Sequence, residues 1–209
     1  MAVATFTFTK NAYPSGTDNT QRRQLDYGTV AVTGSSPSYV QGGCRINWSS
    51  LEPIKAVNML PQIAWIYSLS GSGYSYVWNP LGAAITNLAL TSNVVTITAH
   101  NNLAAGDIVS LNGLTTTPAL NGISLTVIST GLSATQFEAN LTHANISSGA
   151  ETGFALPTLY ASGLPFQGNL MIFQNAGSAA PSAELTTASL PAGVTADVLA
   201  YEAEFIRAL

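Results

Sequence analysis

Charged residues are scarce in this sequence. Only 8% of its 209 residues are Asp, Glu, Lys or Arg, whereas about 25% is usual for a soluble domain. Hydrophobic residues make up 46% of the chain, so it does not have the apolar-poor composition of a disordered protein. Because the cores of protein interfaces are depleted in charge, we expect neighbouring subunits to cover part of the surface.

The sequence also lacks a basic cluster. The net charge is -4, and the six cations are spread along the chain at Lys10, Arg22, Arg23, Arg45, Lys55 and Arg207. Nucleic-acid binding requires clustered Lys and Arg, so we expect no nucleic-acid partner. No apolar run approaches the ~18 residues of a membrane span, and the N-terminus lacks the regions of a signal peptide. We therefore expect no membrane partner either.

Residues that carry catalytic or metal-binding chemistry are few. The single cysteine, Cys44, and the two histidines, His100 and His143, lie far apart in the sequence. This excludes an internal disulfide and argues against a Cys–His nucleophile or a zinc site. The acidic residues form no recognisable glycosidase pair. We therefore expect no enzymatic activity, no metal and no cofactor.

The remaining polar candidates have structural interpretations. We expect Cys44 to be a buried free thiol and the side chain of His100 to hold the turn that follows it. Asp107 comes directly after a glycine and is expected to accept hydrogen bonds from backbone N–H groups. Glu202 and Glu204 share one face of the last strand, which we interpret as a solvated or interface face.

Alternation of apolar and polar residues dominates the chain and predicts an all-β fold. Phenylalanine alternates with threonine in segment 5–9. Segment 62–79 predicts a hairpin whose two strands carry facing rows of aromatic residues. Further strands are predicted at 93–98, 107–111, 122–129, 135–139, 169–174 and 198–207.

Composition separates a middle segment from its two flanks. Residues 91–157 contain no Lys, Arg, Trp or Tyr, whereas all three Trp and all eight Tyr lie in the flanks. The strand spacing of the middle segment is typical of a small β-sandwich. We predict a β-sandwich host domain made of residues 1–90 and 158–209, with residues 91–157 inserted in one of its loops. Such insertion is tolerated at an exposed turn.

Two sets of motifs resemble structural proteins of tailed phages. The middle segment resembles a recurrent Ig-like β-sandwich module in its runs VVTIT (94–98), HNNL (100–103), GDIV (106–109), LNG (111–113), NG (121–122) and TQF (135–137). The flanks are similar to capsid decoration (cement) proteins in GYSYVWNP (73–80), GNLMIF (168–173), SAEL (182–185) and LPAGV (190–194). In such proteins the GYSYVWNP-like strand is closely followed by the GNLMIF-like strand, whereas here the middle segment lies between them.

The resemblance implies a non-enzymatic virion protein that is made in the cytoplasm of the host cell. Its host domain would form a homotrimer on the outer surface of an icosahedral head, bind the major capsid protein and stabilise the capsid lattice. The N-terminal strand and the segment after it are suited to lying across a partner. The candidate partner-binding residues are therefore Phe6, Phe8, Arg22 and Arg23, and the arginine doublet is otherwise a solvated turn.

Two other classes of protein remain open. A structural protein of a phage tail, neck or baseplate would use the same modules. A carbohydrate-binding adhesin would use the Tyr and Trp rows as stacking platforms, and these aromatic side chains would then be exposed in a groove. In a core role the same side chains would be buried.

Overall fold

A computed structural model of the chain describes residues 4–11, 17–18, 23–34, 36–48, 61–175 and 182–206. Strands dominate these residues, and their only α-helix is the short α1 (Ala192–Thr195). The prediction of an all-β fold is confirmed. No helix in the described ranges is long and apolar enough to cross a membrane.

The strands follow one another in three groups along the chain. The first group is β1 (Thr5–Lys10), β2 (Thr17–Asp18), β3 (Arg23–Thr33), β4 (Ser38–Tyr39), β5 (Cys44–Arg45), β6 (Ile63–Ser68) and β7 (Tyr74–Asn79). The second group is β8 (Ala83–Thr91), β9 (Val94–Ala99), β10 (Ile108–Asn112), β11 (Ser124–Ser133), β12 (Gln136–Asn140), β13 (Ile146–Ala150) and β14 (Phe154–Leu159). The third group is β15 (Asn169–Gln174), β16 (Ala183–Glu184), β17 (Ala188–Ser189) and β18 (Leu199–Ile206).

Contacts divide the chain into two compact units. Unit 1 is Met1–Tyr39, Gly43–Pro80 and Gln167–Leu209, and unit 2 is Val40–Gly42 and Leu81–Phe166. The sequence placed residues 81–90 and 158–166 in the flanks, whereas here they belong to unit 2. The reason is pairing, because β8 forms ladders with β9, β13 and β14. Composition did not mark this boundary, since β8 has the same apolar alternation as the strands of unit 1.

Unit 1 is built on a nine-stranded antiparallel sheet. Its order is β1-β3-β18-β6-β7-β15-β16, with β2 paired to β3 and β5 paired to β15. Strands β7 and β15 pair without a break from Asn79 opposite Asn169 to Tyr74 opposite Gln174. Unit 2 separates these two strands in the chain, yet they lie side by side as the arms of a hairpin would.

An aromatic core covers one face of this sheet. The Phe8 ring lies 4.4 Å from the Trp48 ring and 5.3 Å from the Tyr201 ring, measured between centroids. The Trp48 side chain is fixed further by a 3.0 Å hydrogen bond from its indole N–H to the Gln167 carbonyl. Burial of large aromatic side chains, with edge-to-face contacts between them, is the main source of stability in such a core.

Unit 2 is a ring of antiparallel strands around a second core. The pairings run β8-β14-β10-β11-β12-β9 and return to β8, and β13 is added beside β8. Strand β8 pairs with β14 at its start and with β9 further along. Strand β11 likewise pairs with β10 at its start and with β12 further along. These two strands join the ring, and the Ig-like character of the middle segment stays a prediction. The predicted strands at 93–98, 107–111, 122–129 and 135–139 are confirmed as β9 to β12.

Candidate docking face

The side of the unit 1 sheet that faces away from its core exposes large apolar side chains. Five of them are Ile63, Trp65, Tyr67 and Leu69 on or just after β6, and Val77 on β7. Trp65 is 53% exposed and Tyr67 is 47% exposed. We call this surface, together with the neighbouring Glu202 of β18, the outer face. Large exposed apolar patches are a common feature of interaction sites.

The register of β6 and β7 explains why one aromatic row is exposed. Ile66 lies opposite Tyr76, and both side chains point into the core. Trp65 and Tyr67 therefore point outward, while the row that contains Tyr76 points inward. The prediction that the two aromatic rows face each other on one side of the hairpin is wrong, because a shift of one residue in register moves a row to the opposite face.

Glu202 lies at the centre of the outer face. It lies directly opposite Trp65 of the neighbouring strand β6, and directly opposite Tyr27 of the neighbouring strand β3 on the other side. Side chains directly opposite each other in antiparallel strands lie on the same face, with Cβ atoms about 5 Å apart. A carboxylate therefore lies between two aromatic side chains in a row that crosses three strands.

A cleft opens beside this row. It has a volume of about 710 Å³ and its lining includes Trp65, Tyr67, Val77, Trp78 and Glu202. Strands β6 and β7 are paired at a single position, Ile66 opposite Tyr76. Ile66 and Tyr76 themselves belong to the lining, so the cleft lies along the junction of the two strands.

A buried carboxylate fixes the β6–β7 turn below the outer face. Asp197 accepts hydrogen bonds from the hydroxyls of Ser68 at 2.8 Å and Tyr76 at 2.7 Å, and also from Ser70 and Ser72. Burial raises the pKa of Asp197, but these hydrogen bonds outweigh burial and lower it below its usual range. The ionised form holds the hairpin and therefore the position of the exposed aromatic side chains.

Two of the four predicted partner-binding residues, Phe6 and Phe8, are not on the outer face. Phe6 and Phe8 are 4% and 5% exposed and lie in the unit 1 core. In this arrangement a partner of β1 would contact its threonines rather than these rings. Arg23 is the first residue of β3, opposite Asp18. Arg22 lies outside the described residues, as does most of segment 10–24.

The turn after β9 in unit 2 is held by a side chain other than the expected histidine. His100 is exposed, and the prediction that its side chain holds the turn is wrong. Asn101 does this instead, donating to the carbonyls of Ala99 and Ser133 and accepting from the N–H of Leu103. The side chain of an Asn within a tight turn can satisfy backbone groups of both arms.

Three other structural expectations are confirmed. Asp107 is fully buried and accepts hydrogen bonds from the backbone N–H groups of Ala104 and Ala161, both at 2.9 Å. Cys44 is a buried free thiol. Glu202 and Glu204 lie on one face of β18, away from the core.

Sequence reasoning also missed the buried carboxylate of Glu151. Its oxygens accept hydrogen bonds from four backbone N–H groups, which belong to Thr115, Thr116, Thr117 and Thr152. Burial raises the pKa of Glu151, but these bonds outweigh burial and lower it to about 2. The run of three threonines at 115–117 was the available signal, because consecutive N–H groups in a turn form a nest for an anion.

In the described ranges no group of three or more His, Cys, Asp and Glu residues is arranged to hold a metal ion. Comparison of the chain with known protein families, with curated proteins and with solved structures gives no match.

Proposed function

We propose that this protein is a non-enzymatic virion component of the decoration (cement) type. It binds the outside of a phage head and stabilises the lattice of the major capsid protein. The observation that carries the proposal is the outer face, where Trp65, Tyr67 and their apolar neighbours are exposed on an ordered sheet. Tyr and Trp are enriched where proteins bind one another, and charge is depleted there.

The pairing of β7 with β15 gives a second line of support. These strands carry the two motifs that resemble decoration proteins, at 73–80 and 168–173, and they are adjacent in the sheet. A decoration protein with a further domain inserted between two neighbouring strands would have this arrangement. In the proposal unit 1 anchors the protein to the head, and unit 2 is carried by it.

The proposed mechanism needs no chemical step. A protein that binds only the assembled lattice stabilises it by mass action, because each bound copy must be released before capsomers separate. A homotrimer that spans several capsid subunits adds avidity without any new contact. Sedimentation equilibrium tests the trimer, and a mass that stays at the 21.7 kDa of the monomer at micromolar concentration would contradict it.

Imaging of the source particle tests the location directly. A cryo-EM map of that particle is expected to show density for unit 1 at regular positions on the outer surface of the capsid. Density at the tail, neck or baseplate would replace the proposal with its structural alternative. Absence of the chain from purified particles would reject a virion role altogether.

A carbohydrate-binding module is the second candidate. The specific observation in its favour is that Trp65 and Tyr67 are exposed side by side next to a cleft. Exposed aromatic side chains in a groove are what stacking on sugar rings requires. A glycan array distinguishes the two candidates, because selective binding that is lost in Trp65→Ala would favour the carbohydrate module.

A further inference from the structure

The rows that cross the outer face alternate apolar and acidic side chains. One row is Tyr27–Glu202–Trp65, and the register places a second, Leu25–Glu204–Ile63, beside it. The acidic member of each row comes from β18, which lies between β3 and β6. The outer face is therefore apolar with negative charge at its centre.

The Glu202 carboxylate has no partner in the described part of the chain. It is half-buried, and no described residue forms an ion pair or a hydrogen bond with it. Docking of any apolar partner over Trp65 would remove water from this carboxylate. Removing water from a charge is costly unless the partner brings an opposite charge or hydrogen-bond donors.

The described side chains of a second copy of this chain offer no free cation to the face. Among cations with described side chains, Lys10 forms a 2.6 Å salt bridge with the buried Asp26, and Arg45 is also engaged. Two outer faces placed together would instead bring the Glu202 carboxylates of both copies close to each other. Like charges that meet in an interface disfavour association.

We propose that the outer face recognises an arginine side chain presented by an apolar patch on a protein partner. The planar guanidinium stacks on the Trp65 ring, and its N–H groups donate to the Glu202 carboxylate. Tyr27 borders the same carboxylate on its other side, and the cleft beside Trp65 accepts the aliphatic part of the side chain. Arginine fits better than lysine because its flat, delocalised cation both stacks and donates in a fork.

The inference rests on the proposed function, since it names the chemistry that the capsid surface would present to this protein. Recognition of arginine by the outer face can be tested without a capsid. Binding of a small arginine probe to the outer face is measurable on the purified protein. Failure of one experiment therefore does not decide the other.

The test is an NMR titration that follows the indole N–H signals of Trp48, Trp65 and Trp78. The probe is the blocked tripeptide Gly-Arg-Gly, and the matched control is the same peptide with citrulline, which is neutral and nearly isosteric with arginine. We expect the arginine peptide to shift the Trp65 signal with millimolar affinity and the citrulline peptide to shift it at least about fivefold more weakly. The Trp48 indole, which lies in the core, reports that the fold is unchanged.

Variants decide whether Glu202 carries the recognition. Glu202→Gln is expected to reduce the affinity for the arginine peptide at least about fivefold. Glu138→Gln, which makes the same charge change in unit 2, is expected to leave it unaltered. Equal shifts with the arginine and citrulline peptides, or no loss in Glu202→Gln, would overturn the inference. A Trp65 shift with a neutral oligosaccharide such as cellohexaose, and none with the arginine peptide, would identify a glycan site instead.

Discussion

The hydroxyl of Tyr76 donates a 2.7 Å hydrogen bond to the carboxylate of Asp197, which lies 121 residues further along the chain. Ser68, Ser70 and Ser72 donate to the same carboxylate. One acidic residue before β18 thus organises the turn between β6 and β7. The position of the outer face depends on this contact as well as on the strand ladder.

Loss of the Asp197 charge is expected to destabilise unit 1. Asp197→Asn removes a charged acceptor from four hydroxyls, and we expect unfolding to become easier by about 1–3 kcal/mol. The pKa of Asp197 is lower in the folded protein than in the unfolded chain. The stabilisation by its carboxylate is therefore complete above the unfolded pKa of about 3.9, and it is lost as the pH falls through the folded pKa. Urea unfolding at pH 7 and pH 3 measures this.

The matched control for that change is Glu202→Gln. Glu202 has no hydrogen-bond partner in the described residues. The free energy of unfolding of the Glu202→Gln variant at pH 7 is therefore expected to equal that of the wild type. A pH profile of Asp197→Asn that matches the wild type would show that Asp197 does not supply the acid-labile part of the stability.

Glu151 is expected to play the equivalent role in unit 2. Glu151→Ala leaves the N–H groups at 115–117 without their acceptor, and we expect a loss of about 1–3 kcal/mol. The folded pKa of about 2 lies below the unfolded value of about 4.3. The contribution is therefore present above about pH 4.3 and disappears towards pH 2. Hydrogen exchange at Thr116 and Thr117 checks this locally, and unchanged protection in the variant would refute it.

Two buried tyrosines are expected to respond differently to loss of their hydroxyls. The Tyr201 hydroxyl is buried without a hydrogen-bond partner in the described residues, so Tyr201→Phe should be neutral or stabilising. The Tyr39 hydroxyl donates to Glu184 at 2.6 Å and accepts from the Ile172 N–H at 3.1 Å. Tyr39→Phe should therefore cost about 1–2 kcal/mol. Thermal unfolding of both variants compares them, and equal melting temperatures would be inconsistent with these contacts.

Removal of unit 2 is expected to leave unit 1 folded. Residues 81–166 are deleted and residue 80 is joined to residue 167 through a short Gly-Ser linker, so that β7 and β15 become a hairpin. Near-UV circular dichroism reports the result, because every Trp and every Tyr except Tyr160 remains. Collapse of the near-UV signal would mean that unit 1 requires unit 2 for its packing.

Alternation in the sequence was enough to predict most strands. Segment 198–207 contains β18, because its apolar residues recur at every second position. Segment 169–174 is β15 and has a short continuous apolar run instead, which is also typical of a strand. The pattern does not specify which face of a strand is buried when both carry large residues. In β6 both Ile66 and the pair Trp65 and Tyr67 are apolar or aromatic, and only pairing with Tyr76 fixes the choice.

The candidate site was harder to predict from the sequence, because strand pairing decides which side chains are exposed. The sequence predicts Phe6 and Phe8 as partner contacts because an exposed edge strand is suited to lying across a partner, yet the core needs both rings. The relation between Glu202 and Trp65 joins residues 137 positions apart in the chain (202 minus 65). No local pattern indicates such a contact, because the order of strands in the sheet creates it.

Co-sedimentation with undecorated heads tests whether unit 1 anchors the protein to the capsid. The full protein and the variant without unit 2 are each mixed with heads, which are then pelleted, and the bound copies are counted. The account predicts that both bind to similar occupancy, and that Trp65→Ala weakens binding about tenfold or more with its fold intact. Binding by isolated unit 2 but not by unit 1, or full binding by Trp65→Ala, would contradict the account.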